Sequence, residues 1–148
     1  MSETHEFVAA TVTRDPSDPH DPAILARALP LTLGMQLVEL TRDRVVMTMP
    51  VDERTRQPFG LLHGGASVAL AETAVSIGGW MNVDPARHQT VGVEINANHL
   101  RAKRDGIVRA VAVPLHRGRT LHVWSVEITD EEGKLVCVSR CTLAVVSV

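Results

Sequence analysis

Apolar positions follow two periods along the chain. From Ala66 to Met81 they crowd every turn of a prospective helix, and ASVALAETAVSIGGWM holds a single ionisable side chain, Glu72. Its helical neighbours three and four residues away are Val68, Ala69, Val75 and Ser76. Elsewhere the pattern alternates or is β-branched. GMQLVELTRDRVVMTMPV predicts two strands around a turn at Thr41 to Asp43. TVGVEINAN, IVRAVAVPL, TLHVWSVEIT and KLVCVSRCTLAVV predict four more, parted by the turn signals AKRDG, HRGR and DEEG. DPAILARALP predicts a short helix from about Pro22 to Leu29, with Asp21 as N-cap and Pro22 at the first helical position. Residues 1–21, with Pro16 and Pro19 among alternating acids, predict a flexible lead-in. That leaves 22–148 as a single domain. Two strands, one long helix and four strands at meander spacing predict an α+β fold in which a curved antiparallel sheet of about six strands wraps the helix.

Composition narrows the function. The chain has 148 residues, 45% hydrophobic and 22% charged, with a net charge of −2. There is no Tyr, and the aromatic residues are Phe7, Phe59, Trp80 and Trp124. A nucleic-acid binder would carry a basic surface and stacking aromatics, so no nucleic-acid partner is expected. No apolar run approaches the roughly 18 residues of a membrane span. The opening MSETHEFVAATVTRDPSDPHDP has no basic-then-apolar signal pattern, so the expected compartment is the cytoplasm. Cys137 and Cys141 lie on one predicted strand, about 13 Å apart, beyond the roughly 7 Å that a disulfide tolerates between Cα atoms. They are expected to be reduced core thiols. The histidines are scattered and neither HExxH nor CxxC occurs, so no metal site is expected.

The chemistry concentrates in QPFGLLHGGASVALAETAVS, residues 57–76. An ionised Glu72 among alanines and valines is costly unless it is paired or wet. By itself such an acid is ordinarily one that reaches solvent through a gap or meets an arginine from the sheet. The flanks change the weighing. His63-Gly64-Gly65 stands where the helix begins, and its first N–H groups lack intrahelical partners at the positive end of the dipole. Glycines let a ligand approach that backbone, as an oxyanion site for a carbonyl requires. Yet Glu72 lies eight residues beyond Gly64, about 12 Å along a helix, and its side chain recovers only about 4 Å of that. One carbonyl would not reach both groups of the same helix. If both act, they come from two chains with antiparallel helices across a two-fold axis, in a dimer with two shared sites. Ser67 in GASVA lacks the second glycine of a nucleophile elbow.

QPFGLLHGGASVALAE, followed by VGVEINANHLR and PLHRGRTLHVW, resembles the hotdog-fold acyl-CoA thioesterases over roughly residues 30–146. The resemblance is to the PaaI-like branch that includes 4-hydroxybenzoyl-CoA, 1,4-dihydroxy-2-naphthoyl-CoA and enterobactin proofreading thioesterases. It implies dimers with shared sites, tetramers built from two dimers, and hydrolysis of a thioester, often of an aromatic acid, without metal or redox cofactor. By motif position it implies that Glu72 is the catalytic carboxylate, acting as nucleophile or as general base. Gly64 or Gly65, with Gly64 preferred, would donate to the oxyanion. Gln57 and His63 would orient the thioester, and Ser76 would hold the hydrolytic water. His99 and Arg101, with the turn of His116, Arg117, Gly118 and Arg119, would meet the phosphates of coenzyme A. Val68 and Ala69 would line the acyl pocket. Two other readings keep the fold: a hotdog hydratase or dehydratase, whose His and Asp spacing is missing here, and a non-catalytic acyl-CoA sensor, which should lack the carboxylate.

Overall fold

A computed structural model describes residues 28–148. The predicted lead-in over 1–21, and the start of the predicted short helix with its Asp21 cap, lie outside them. Where description begins, helix α1 covers Ala28–Thr32, past the predicted end at Leu29. Pro30 does not stop it, because it sits in the first turn, where no N–H is needed for an intrahelical bond.

Strands β1 (Gln36–Leu40) and β2 (Val45–Pro50) form the expected antiparallel hairpin. Thr41 closes it by donating both its N–H and its hydroxyl to the Arg44 carbonyl, at 2.9 and 3.1 Å. Then come helix α2 (Gly64–Trp80) and strands β3 (His88–His99), β4 (Ile107–Arg117), β5 (Leu121–Thr129) and β6 (Leu135–Ser147). All six strands join one antiparallel sheet in the order β1-β2-β4-β5-β6-β3. This is the α+β hotdog arrangement, one long helix against a six-stranded sheet.

The four later strands do not form one meander. β4, β5 and β6 do, but β3 pairs with β6 at the opposite edge from β1. The helix decides this. Its C-terminal end reaches Leu143 of β6 and Thr90 of β3 at Gly79, so the strand that follows starts beside β6. The 100–106 segment then carries the chain back to β4.

Alternate residues of the sheet, such as Met47, Ala110, Trp124 and Leu143, bury themselves against Leu70, Ala71, Ala74 and Val75 of α2. Apolar residues nevertheless occur on every side of the helix, and the sheet covers one side only. Val68, Ala69, Glu72, Thr73 and Ser76 stay half-buried and Gly65 is exposed. Both cysteines are free and buried. Burial pushes the Cys141 thiol up to about 12, and the carboxylates of Glu72 and Glu94 add to the rise.

The helix seats closely because Gly78 has no side chain. A Cβ there would lie 2.5 Å from Cη2 of Trp124, which is fully buried. Gly78→Ala should therefore destabilise the fold by about 1–2 kcal/mol in urea titration, the overpacking exceeding the roughly 1 kcal/mol gain in helix propensity. A stabilised variant would contradict this packing.

Candidate functional site

The N-terminus of α2 is built by one histidine. His63, at φ −70° and ψ 130°, is the N-cap, and its Nδ1 accepts from the Gly65 N–H at 2.8 Å. That bond leaves the imidazole proton on Nε2. The His63 carbonyl accepts from the N–H groups of Ala66 and Ser67 at 2.9 and 3.3 Å, and its own N–H donates to Thr55 at 2.8 Å. With this cap the helix starts at Gly64, two residues before the predicted Ala66. Of the donors in the first turn, the Gly64 N–H has no partner among the described residues. A Cβ on Gly64 would lie 2.8 Å from Nε2 of His99, so the missing side chain is what allows that imidazole to stand beside the free N–H.

A cleft of about 350 Å³ opens here, lined by Gln57, Gly64, Ser67, His99, Arg101 and apolar neighbours including Leu62 and Leu100. Gln57 is held by donation from its N–H to the Leu61 carbonyl at 2.7 Å, and its Oε1 accepts from the Phe59 N–H. Its Nε2 amide group remains available to a visiting acceptor. The opposite wall, residues 100–106, is fastened on both sides. Leu62 N–H donates to Lys103 at 2.7 Å and Arg56 Nε to Arg104 at 2.6 Å. Lys103 in turn pairs with Glu131, which also accepts from the Ile107 N–H. The Lys103 ammonium, then the Ile107 N–H, bring the Glu131 carboxyl down to about 2.

Glu72 lies eight residues further along α2, about 12 Å from Gly64 by helical rise. It makes no ion pair or side-chain hydrogen bond among the described residues. Its Oε1 stands 2.8 Å from where a Cβ on Gly92 would be. Gly92 neighbours Leu143 on β6, Leu143 neighbours His122 on β5, and His122 neighbours Arg117 on β4. The carboxylate thus belongs to the end of the sheet that carries the His116–Thr120 turn. His99 neighbours Cys137, and Cys137 neighbours Ile128, across from the start of β4. The cleft is therefore towards the other end, seven residues or about 23 Å away along β4.

The site residues named from sequence consequently fall into two groups. Gln57, Gly64, His99 and Arg101 come together at the cleft, and His63 precedes Gly64 as the helix N-cap without lining it. Glu72, with Ser76 one turn beyond it, sits towards the end of His116, Arg117, Gly118 and Arg119. Within that turn Arg117 is engaged with Asp43 at 2.8 Å, with Oδ1 of Asn82 at 3.0 Å and with the Arg42 carbonyl at 3.1 Å. His116 and Arg119 remain exposed. Val68 and Ala69 do not line the cleft; Ser67 does. Sequence reasoning passed over Gly92 and Glu131. An isolated glycine inside a strand was the available signal for the first; the second acts through partners at 24 and 28 residues' separation. Among the described residues no group of three or more His, Cys, Asp or Glu side chains could hold a metal ion, and no helix is long and apolar enough to cross a membrane.

Residues 59–137 match the family described as the thioesterase superfamily. The chain is 50% identical over 113 residues to a 1,4-dihydroxy-2-naphthoyl-CoA hydrolase of Escherichia coli, covering 76% of this chain and 82% of that one. It is equally 50% identical over 113 residues to the proofreading thioesterase EntH of Cronobacter turicensis, with 76% and 82% covered. Among solved structures, a mutant thioesterase from Pseudomonas aeruginosa superposes with a TM-score of 0.83 at 44% identity, over 85% of this chain and 91% of that chain.

The Glu131 clamp has a pH signature. A carboxyl whose folded pKa is depressed contributes stability above its unfolded value of 4.5 and loses it as pH falls towards about 2. Urea midpoints measured across that window should decline less steeply for Glu131→Gln than for the unaltered protein. Equal slopes would show that the clamp does not hold in solution.

Proposed function

The chain belongs to the thioesterase superfamily and is a thioester hydrolase; on that premise we propose that it hydrolyses an aromatic acyl-CoA, with Glu72 as its catalytic carboxylate, in sites shared between two subunits. The observation that carries this reading is the separation on α2. The acid and the free Gly64 N–H are about 12 Å apart on one rigid helix, so a complete site needs the acid from one copy and the N–H from another. Two surfaces suit such a pairing. The half-buried side of α2 carries Val68, Ala69, Glu72 and Ser76. Strand β3 ends the sheet with an unpaired edge, its Val93 61% exposed. A two-fold axis running through that edge would bring Glu72 and Ser76 of one subunit to Gln57, His63 and Gly64 of the other. Two such dimers would make the tetramer.

In this arrangement the thioester carbonyl oxygen lies against the Gly64 N–H, whose dipole stabilises the charge that develops there. The amide of Gln57 and Nε2–H of His63 are donors that can fix its orientation. Glu72 takes a proton from a water held by Ser76, and the hydroxide adds to the carbonyl carbon. Collapse then expels coenzyme A as thiolate, which recovers the proton. A direct attack by Glu72, giving an anhydride that water cleaves, meets the same geometry. The carboxylate and the N–H supply base and electrophile, so neither route calls for a metal or redox cofactor. Arg101, His99 and Arg119 are the groups offered to the phosphates. The aromatic acyl group rests on the 1,4-dihydroxy-2-naphthoyl-CoA hydrolase among the relatives. Free, buried thiols at Cys137 and Cys141 suit a reducing cytoplasm.

Free-thiol release from aromatic and aliphatic acyl-CoAs tests the assignment. Glu72→Gln should lower turnover by about 10²–10⁴-fold while acyl-CoA binding persists. Hydrolysis at the parental rate would remove Glu72 from the mechanism.

A further inference from the structure

We propose that Gly92 and the bulge that follows it position the Glu72 carboxylate, making Gly92 a positioning residue of the reaction although it touches no substrate. The inference rests on the catalytic reading of Glu72. β3 runs in register with β6 up to Gly92↔Leu143 and resumes at Glu94↔Thr142, so Val93 is an extra residue on the edge strand. Such a bulge bends a strand locally and re-aims what lies beside it. Gly92 sits at its start, on the face turned to α2, as its register with the buried Leu143 requires. Glu72 Oε1 enters the space where its Cβ would be, 2.8 Å from that point. This is shorter than an ordinary carbon–oxygen contact. Glu72 has no ion pair or side-chain hydrogen bond among the described residues to hold it otherwise. The empty position at Gly92 is the slot in which the carboxylate rests.

The nature of the contact separates position from stability. At Gly78 the atom in the way belongs to a buried indole, and the fold must yield. At Gly92 it belongs to the free end of a flexible side chain, which can swing aside. Gly92 is absent from the glycines with positive φ, so alanine meets no backbone strain there. A methyl group at Gly92 therefore moves the acid and leaves the fold intact. Displacing a catalytic group by about 1 Å costs on the order of 10²-fold in rate.

Gly92→Ala should keep the parental melting temperature and KM for the acyl-CoA turned over best, while kcat falls about 10- to 100-fold. Glu72→Asp, one methylene shorter, should restore room. Its effect on kcat should be smaller in the Gly92→Ala background than in the unaltered protein, giving non-additive losses. A parental kcat in Gly92→Ala, beside an inactive Glu72→Gln, would overturn the positioning role alone. Losses that add, together with a lowered melting temperature, would make Gly92 a folding residue and overturn it too. An active Glu72→Gln would bring down the catalytic reading, and this role with it.

Discussion

Helix α2 lies so close to the sheet that side chains are missing where the two meet. Gly78 rests on Trp124, Gly79 on Leu143 and Thr90, and Gly92 leaves its Cβ position to Glu72. Close seating of an apolar helix buries the core that stabilises the domain. It also fixes where everything on that helix ends up. The free N–H at Gly64 faces the cleft at one end of the sheet, and the Glu72 carboxylate faces β3 nearer the other. A rigid helix cannot bring its own ninth residue back to its first.

That constraint links the fold to assembly and chemistry. A helix apolar on every side needs cover on every side, and the single sheet provides half of it. The same uncovered face carries Glu72 and Ser76. The neighbouring edge strand offers unpaired backbone with exposed Val91 and Val93. On the proposed reading, burial of that apolar surface and completion of the site call for the same second copy. The cleft wall, by contrast, is completed within one chain, through Leu62, Lys103 and Glu131.

Much of this was legible in the sequence because it depends on local pattern. The hairpin of β1 and β2, the long helix, the lone acid and the eight-residue gap to Gly64 all follow from periodicity and helical rise. Other parts depend on contacts distant in the chain. The position of β3 beside β6 is set by where α2 crosses the sheet, which no local signal records. Arg117 looks like any turn arginine until the fold brings it to Asp43 and Asn82. That Nδ1 of His63 occupies the Gly65 N–H, leaving the Gly64 N–H without a partner among the described residues, is likewise visible only in the fold. Gly92 shows no role until Glu72 is seen in its place.

The most direct test of shared sites is complementation between two inactive subunits. Glu72→Gln and Gln57→Ala variants, each without turnover alone, would be co-expressed and purified as mixed assemblies. In a mixed dimer one site receives both substitutions and the other receives neither. With random pairing the preparation should recover about a quarter of the unaltered thiol release. A mixture as inactive as its parents, in verified mixed dimers, would mean that each site is built within one chain and would contradict the account.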